Sequence, residues 1–232
     1  MNFKWLGPVA LLAALYIGDQ IRINRPGHKY RLTVDVETPQ GRKSASGVLA
    51  IHPFRGYSGL GPTRTVGDAV YVDLGGGKNL VALLAHIDKN LELDDMNYVA
   101  LRAYIAASGK RVSFNDMNRQ TGIVPVTGAL IPVLATFADP ANPGTMRNVS
   151  PDDAEAALGK GYRLHSISAE VVPNGFWPLD FGGALGEPVT RGIQTKLPWL
   201  NATDNTGAAA ALRATELPGV NQVDAGEAFS RK

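Results

Sequence analysis

Cysteine is missing from all 232 residues. Disulfides, thiolate metal sites and a cysteine nucleophile are therefore excluded. The compartment is not fixed by this, because exported and cytosolic chains can both lack the residue. A charge excess is missing too: 23 Lys and Arg against 21 Asp and Glu leave a net +2. The basic residues are scattered, with no stripe and no interleaved aromatics, so nucleic acid is not expected as a partner. Charged residues make up only 19% and hydrophobic ones 44%, which fits neither a disordered chain nor a polytopic membrane protein. What is abundant is Gly (26) and Pro (15). That excess favours many turns, and hence short strands over long helices.

The N-terminus, MNFKWLGPVALLAALYIGDQIRINRPGHKYRL, holds 14 residues without a charge at 5–18. A spanning helix needs about 20 apolar residues, with a lower limit of roughly 17. A cleaved export signal wants small residues at the third and first positions before the cut. No place between Ala13 and Gln20 offers that pair well, since a cut after Gly18 puts Tyr16 third. The run can be lengthened by Phe3 before it and Ile21 and Ile23 after it, with Lys4 and Arg22 reaching out from the ends. Trp5 and Tyr16 suit the two membrane–water interfaces. An uncleaved anchor at 1–23 is the reading taken, against a cleaved signal or a core helix. Arg22, Arg25, Lys29 and Arg31 follow the run, and a literal charge count would leave the domain in the cytoplasm. An N-terminal Lys before a short apolar run is nevertheless the form of an export signal.

Beyond a polar linker at 24–28, KYRLTVDVETPQGRKSASGVLAIHPF reads as a β-hairpin. Tyr30, Leu32, Val34 and Val36 alternate with Arg31, Thr33, Asp35 and Glu37. Thr38-Pro39-Gln40-Gly41 supplies the turn. Residues 69–74 and 79–84 repeat the pattern around three glycines. DDMNYVALRAYIAASGKR is the best helix, with Asp94 and Asp95 at its start and Gly109 at its end. NVSPDDAEAALGKG reads as a short helix capped by Ser150. Further strands are expected in GALIPVLATFADP and YRLHSISAEVV. Residues 201–232 contain a single aromatic residue and read as a loosely ordered tail, with a short helix around the alanines.

The motifs that promise chemistry mostly fail on spacing. GYSGLG around Ser58 has Leu60 where a hydrolase elbow needs Gly. GGGKN at 75–79 lacks the four-residue gap and the Ser or Thr of a phosphate loop, so a hairpin turn is expected. His86, Asp88, Asp94 and Asp95 could converge on a divalent ion, but no second His is close and the aspartates suit a helix start. His28, His52 and His165 stand singly and read as surface or hydrogen-bonded strand residues. Phe176, Trp177 and Phe181 in NGFWPLDFGG, and Trp199 in KLPWL, form either plugs under the domain or a contact surface.

KYRLTVDVETPQG with SASGV, then DPANPGTMRNVSPDD, and finally EPVTRGI with KLPWL together resemble an uncharacterised family of bacterial envelope proteins, signal-anchored or lipoprotein-like, with no assigned activity. These blocks are spread over residues 29–200. The resemblance implies a bacterial origin and export. Lipid attachment does not carry over, because the chain has no Cys, and the family brings no catalytic residues.

The expectation is thus a mainly β domain (β-sandwich or barrel-like, α+β) with two inserted short helices and an N-terminal transmembrane helix. The anchor covers 1–23, the linker 24–28, the domain 29–200 and the tail 201–232. The chain is expected in the bacterial inner membrane as a single-pass protein with a periplasmic domain. Its expected role is a non-enzymatic accessory or structural subunit of a larger membrane protein assembly. Trp5, Phe176, Trp177, Phe181 and Trp199 are the expected partner contacts; no catalytic residue, metal or cofactor is expected. The alternative is a periplasmic hydrolase with a site assembled from residues distant in sequence.

Overall fold

The computed structural model describes residues 6–54, 61–87, 91–175, 186–202, 204–215 and 224–232. Helix α1 (Leu6–Asn24) leads into β1 (His28–Thr38), β2 (Gly41–His52), β3 (Arg64–Asp68), β4 (Val70–Gly75) and β5 (Lys78–Ala82). The short strands β6 (His86–Ile87) and β7 (Leu91–Glu92) precede α2 (Val99–Ser108). After these come β8 (Ile123–Pro125), β9 (Leu134–Phe137), β10 (Met146–Val149), α3 (Ala154–Leu158) and β11 (Arg163–Val172). The chain closes with α4 (Thr206–Ala214) and β12 (Ser230–Arg231). The fold is mainly β, of the α+β class, built on two antiparallel sheets. One has six strands in the order β12-β3-β2-β1-β11-β8, and the other has four in the order β10-β9-β5-β4.

The β1–β2 hairpin forms as its alternation dictates. Tyr30, Leu32, Val34 and Val36 are fully buried, while Arg31, Thr33 and Asp35 are half-buried on the opposite face. The turn closes through the Thr38 hydroxyl, which accepts from the Gln40 N–H (3.2 Å) and donates to the Gly41 carbonyl (2.7 Å). Strand β2 begins at Gly41, earlier than its apolar stretch, because the mostly polar residues 42–46 continue the ladder against β1. The second hairpin turns on Gly75, Gly76 and Gly77, all at positive φ (82°, 60° and 79°), which side chains with a Cβ resist.

Strand β5 ends at Ala82, two residues before its apolar run does. Leu83 and Leu84 remain fully buried but bond elsewhere, to Val133 and Ala228 (2.8 and 2.7 Å). Buried Asn79 joins β5 to β9: its Nδ2 donates to the Phe137 carbonyl, and its Oδ1 accepts from the Phe137 N–H. Both amide functions are thereby satisfied, which makes the burial tolerable.

Two expectations need correction. The described residues of the segment 201–232 are not a loose tail: Ala208, Ala209, Ala211, Leu212, Ala228 and Phe229 are buried in the core. Strand β12 completes an edge of the larger sheet by pairing with β3. A small-residue helix packs closely precisely where large side chains are absent, so low aromatic content was a poor guide to order. The short helix expected around the alanines is α4, so among the described residues three α-helices follow the first strand. The helix cap also shifts, since α3 is capped by the Asp153 side chain on the Ala156 N–H (3.2 Å) rather than by Ser150.

The segment read as a linker is fastened. Pro26 is buried, the Gly27 N–H donates to the Ile51 carbonyl (2.7 Å), and a Cβ on Gly27 would stand 3.0 Å from Phe114.

Candidate functional site

Helix α1 is apolar and uncovered. Val9, Leu11, Leu12, Leu15, Tyr16 and Ile17 are each 57–67% exposed. Residues 9, 11, 12, 15, 16 and 17 face all sides of a helix with 3.6 residues per turn, so this is no amphipathic stripe. The polar last turns hold Asp19 and Arg22 in an ion pair at 3.0 Å. Among the described residues no helix is long and apolar enough to cross a membrane. The transmembrane expectation thus rests on the sequence on both sides of residue 6, and Trp5 lies outside the described residues.

The foot of α1 is tied to the end of β11. The Asn174 carboxamide donates to the carbonyls of Pro26 and Gly27 at 3.2 and 3.3 Å. Gly175 and Gly186 lie together there, since a Cβ on Gly186 would fall 2.5 Å from the Gly175 Cα. Phe176, Trp177 and Phe181 lie outside the described residues.

Trp199 is half-buried, and its indole is engaged within the domain. Its Nε1 donates to the Pro140 carbonyl (2.9 Å), and its ring meets Phe229 edge-on at 5.1 Å and Phe137 at 5.9 Å. That is the plug arrangement, with the polar tip satisfied and the ring in the core.

His28, His86 and His165 lie in three separate surroundings. His28 is buried, not at the surface, and neither ring nitrogen has a hydrogen-bond partner. Burial pushes it down to about 4. His86 is buried, with Nε2 2.8 Å from the Leu130 carbonyl, and burial lowers it as well. His165 sits on the outer sheet face between Glu37 (3.1 Å) and Arg42 (3.4 Å). Ser166 bonds Asp35 rather than His165. Ser58 and Asp88 lie outside the described residues, and among the described residues no cluster of His, Asp and Glu could hold a metal ion.

A polar cleft of about 780 Å³ lies between β3, the 3-10 helix Asp94–Asn97 and the C-terminal elements. Its walls are set by internal hydrogen bonds. Thr65 donates to Asn97, Asn97 donates to the Thr63 carbonyl, and Ser230 donates to buried Asp68. Arg231 also lines the cleft although it is only 6% exposed. Its Nη2 donates to the carbonyls of Leu84 and Leu93, and its Nε to that of Glu227. Burial lowers the Arg231 guanidinium from its ordinary value, while Glu227, Tyr30 and Asp94 act the other way. Sequence reading missed this cleft because its charges come from residue 64, residue 94 and the last six positions. AFSRK, two apolar residues followed by three polar ones, carries no strand alternation that could have revealed it.

No family model matches this chain, and neither does any curated protein or solved structure.

Proposed function

We propose that this protein is a non-enzymatic accessory subunit held at the bacterial inner membrane through α1, its β-rich domain facing the periplasm. The observation that carries the reading is the uncovered apolar surface from Val9 to Ile17. A helix apolar on every side needs a low-dielectric surrounding, and nothing in the described domain supplies one. Lipid, with helices of other subunits beside it, is the surrounding that fits.

The described helix alone is too short and too polar at its C-terminal end to span. The proposed span therefore draws in Phe3 and Trp5 and lets Arg22 reach the interface, in keeping with a short helix supported by neighbours. The fastened junction supports a positioning role, because Asn174 and Gly27 couple the helix foot to both β11 and β2. The resemblance of residues 29–200 to bacterial envelope proteins points to the same place.

The test is co-purification of the full chain from its native membrane in mild detergent. Integral membrane proteins should come with the wild type and be lost from a Leu12→Lys, Leu15→Lys variant that keeps its folded domain. A wild-type chain that purifies alone argues against the subunit reading. No observation favours the hydrolase alternative, since Ser, His and Asp do not meet in the polar cleft.

A further inference from the structure

We propose that the polar cleft beside β12 is a binding site for a short peptide bearing both a free amino group and a free carboxylate. The cleft gathers Arg64, Arg231 and Lys232 of one sign and Asp94 and Glu227 of the other. Opposite charges that share a concavity ordinarily find one another. Here none of the five forms an ion pair with any described residue. The neutral polar groups behave differently: Thr65, Asn97 and Ser230 are committed to the walls. The rigid part of the site is therefore satisfied, and its charged part is left open.

Arg231 adds a fixed donor to the cleft. Its side chain is only 6% exposed, Nε and Nη2 are fixed by three carbonyls, and Nη1, which is not shut away from solvent, has no hydrogen-bond partner among the described residues. A guanidinium held on one edge with its other nitrogen open offers a fixed donor for a carboxylate oxygen. Asp94 and Glu227 act on Arg231 electrostatically without closing on it, which leaves them available for an ammonium. The cleft's size falls within the range of small-molecule sites, roughly 300–1,000 Å³. Among the described residues its lining has no aromatic ring to stack on a base or a sugar, and the Asn201 side chain and the Gln194 carboxamide oxygen suit main-chain amide groups. A peptide with two charged ends matches this set; an inorganic anion matches only half of it.

Titration of the full chain with triglycine, followed by amide NMR shifts of Thr63, Thr65 and Ser230, tests the site. Triglycine should bind saturably. Arg64→Gln and Glu227→Gln should each weaken it by about tenfold, as loss of a charge-assisted hydrogen bond implies. Both side chains are exposed, and the domain spectrum should otherwise be unchanged. N-acetyl triglycine amide and N-acetylglucosamine should not bind. Absence of triglycine binding overturns the proposal, as does equal binding of the blocked peptide. Phosphate binding that survives Glu227→Gln while triglycine fails would make the cleft an anion site instead.

Discussion

The side chain of Asn174, at the end of β11, donates to the carbonyls of Pro26 and Gly27 at the foot of α1, 3.2 and 3.3 Å away. A residue 147 positions distant thus fixes the direction in which the helix leaves the domain. Asn174→Ala should cost about 1 kcal/mol of stability, the usual worth of such bonds. It should also speed hydrogen exchange at the Gly27 amide, which bonds Ile51 across the same junction. Unchanged exchange there would mean that the junction is held without Asn174.

The hairpin core is tested at Val34, which is fully buried, with half-buried Thr33 as its control. Val34→Ala should lower the unfolding free energy by about 1–3 kcal/mol, through lost apolar burial and the void left behind. Thr33→Ala should stay within about 0.5 kcal/mol, as surface substitutions do. Urea unfolding of the two variants separates the faces of β1.

This register was legible in the sequence because a strand with one covered face must alternate, and Tyr30 to Val36 does so without a break. The glycine turn at 75–77 was legible for a similar reason, since positive φ selects its residues. The C-terminal region was not. Its four buried alanine and leucine positions in α4 acquire meaning only against β10 and the turn at Pro143–Thr145, about sixty residues earlier in the chain. The charged cleft was hidden likewise, because Arg64 and Arg231 become neighbours only when β12 pairs with β3.

Trp199 distinguishes a plug from a contact surface. Its ring lies against Phe229 and Phe137, so Trp199→Ala should destabilise the domain by about 3 kcal/mol. Trp199→Phe should recover much of that loss and still lack the bond to Pro140. A Trp199→Ala protein with an unchanged melting temperature would put the ring's role outside the domain.

His28 should give the protein an acid-sensitive limb. Its rings of contact are Phe114, edge-on at 5.1 Å, and Tyr30, with no acceptor for a second proton. The folded chain takes up that proton only near pH 4, whereas the unfolded chain does so near its ordinary value of 6.5. In that window the unfolded state binds more protons, so stability falls as pH falls, by about 3 kcal/mol once pH 4 is reached. His28→Leu should remove most of this slope and leave stability at pH 7 equal or higher, because no hydrogen bond is lost. Urea midpoints at pH 7 and pH 4.5 provide the comparison; identical slopes in both proteins would contradict the assignment.

The most direct measurement of the central claim is alkaline carbonate extraction of membranes from cells making the full chain, with the N-terminus of the extracted protein sequenced. The apolar surface of α1 from Val9 to Ile17 requires the chain to stay in the membrane pellet with residues 5–18 attached. A freely soluble protein beginning near residue 19 would contradict it.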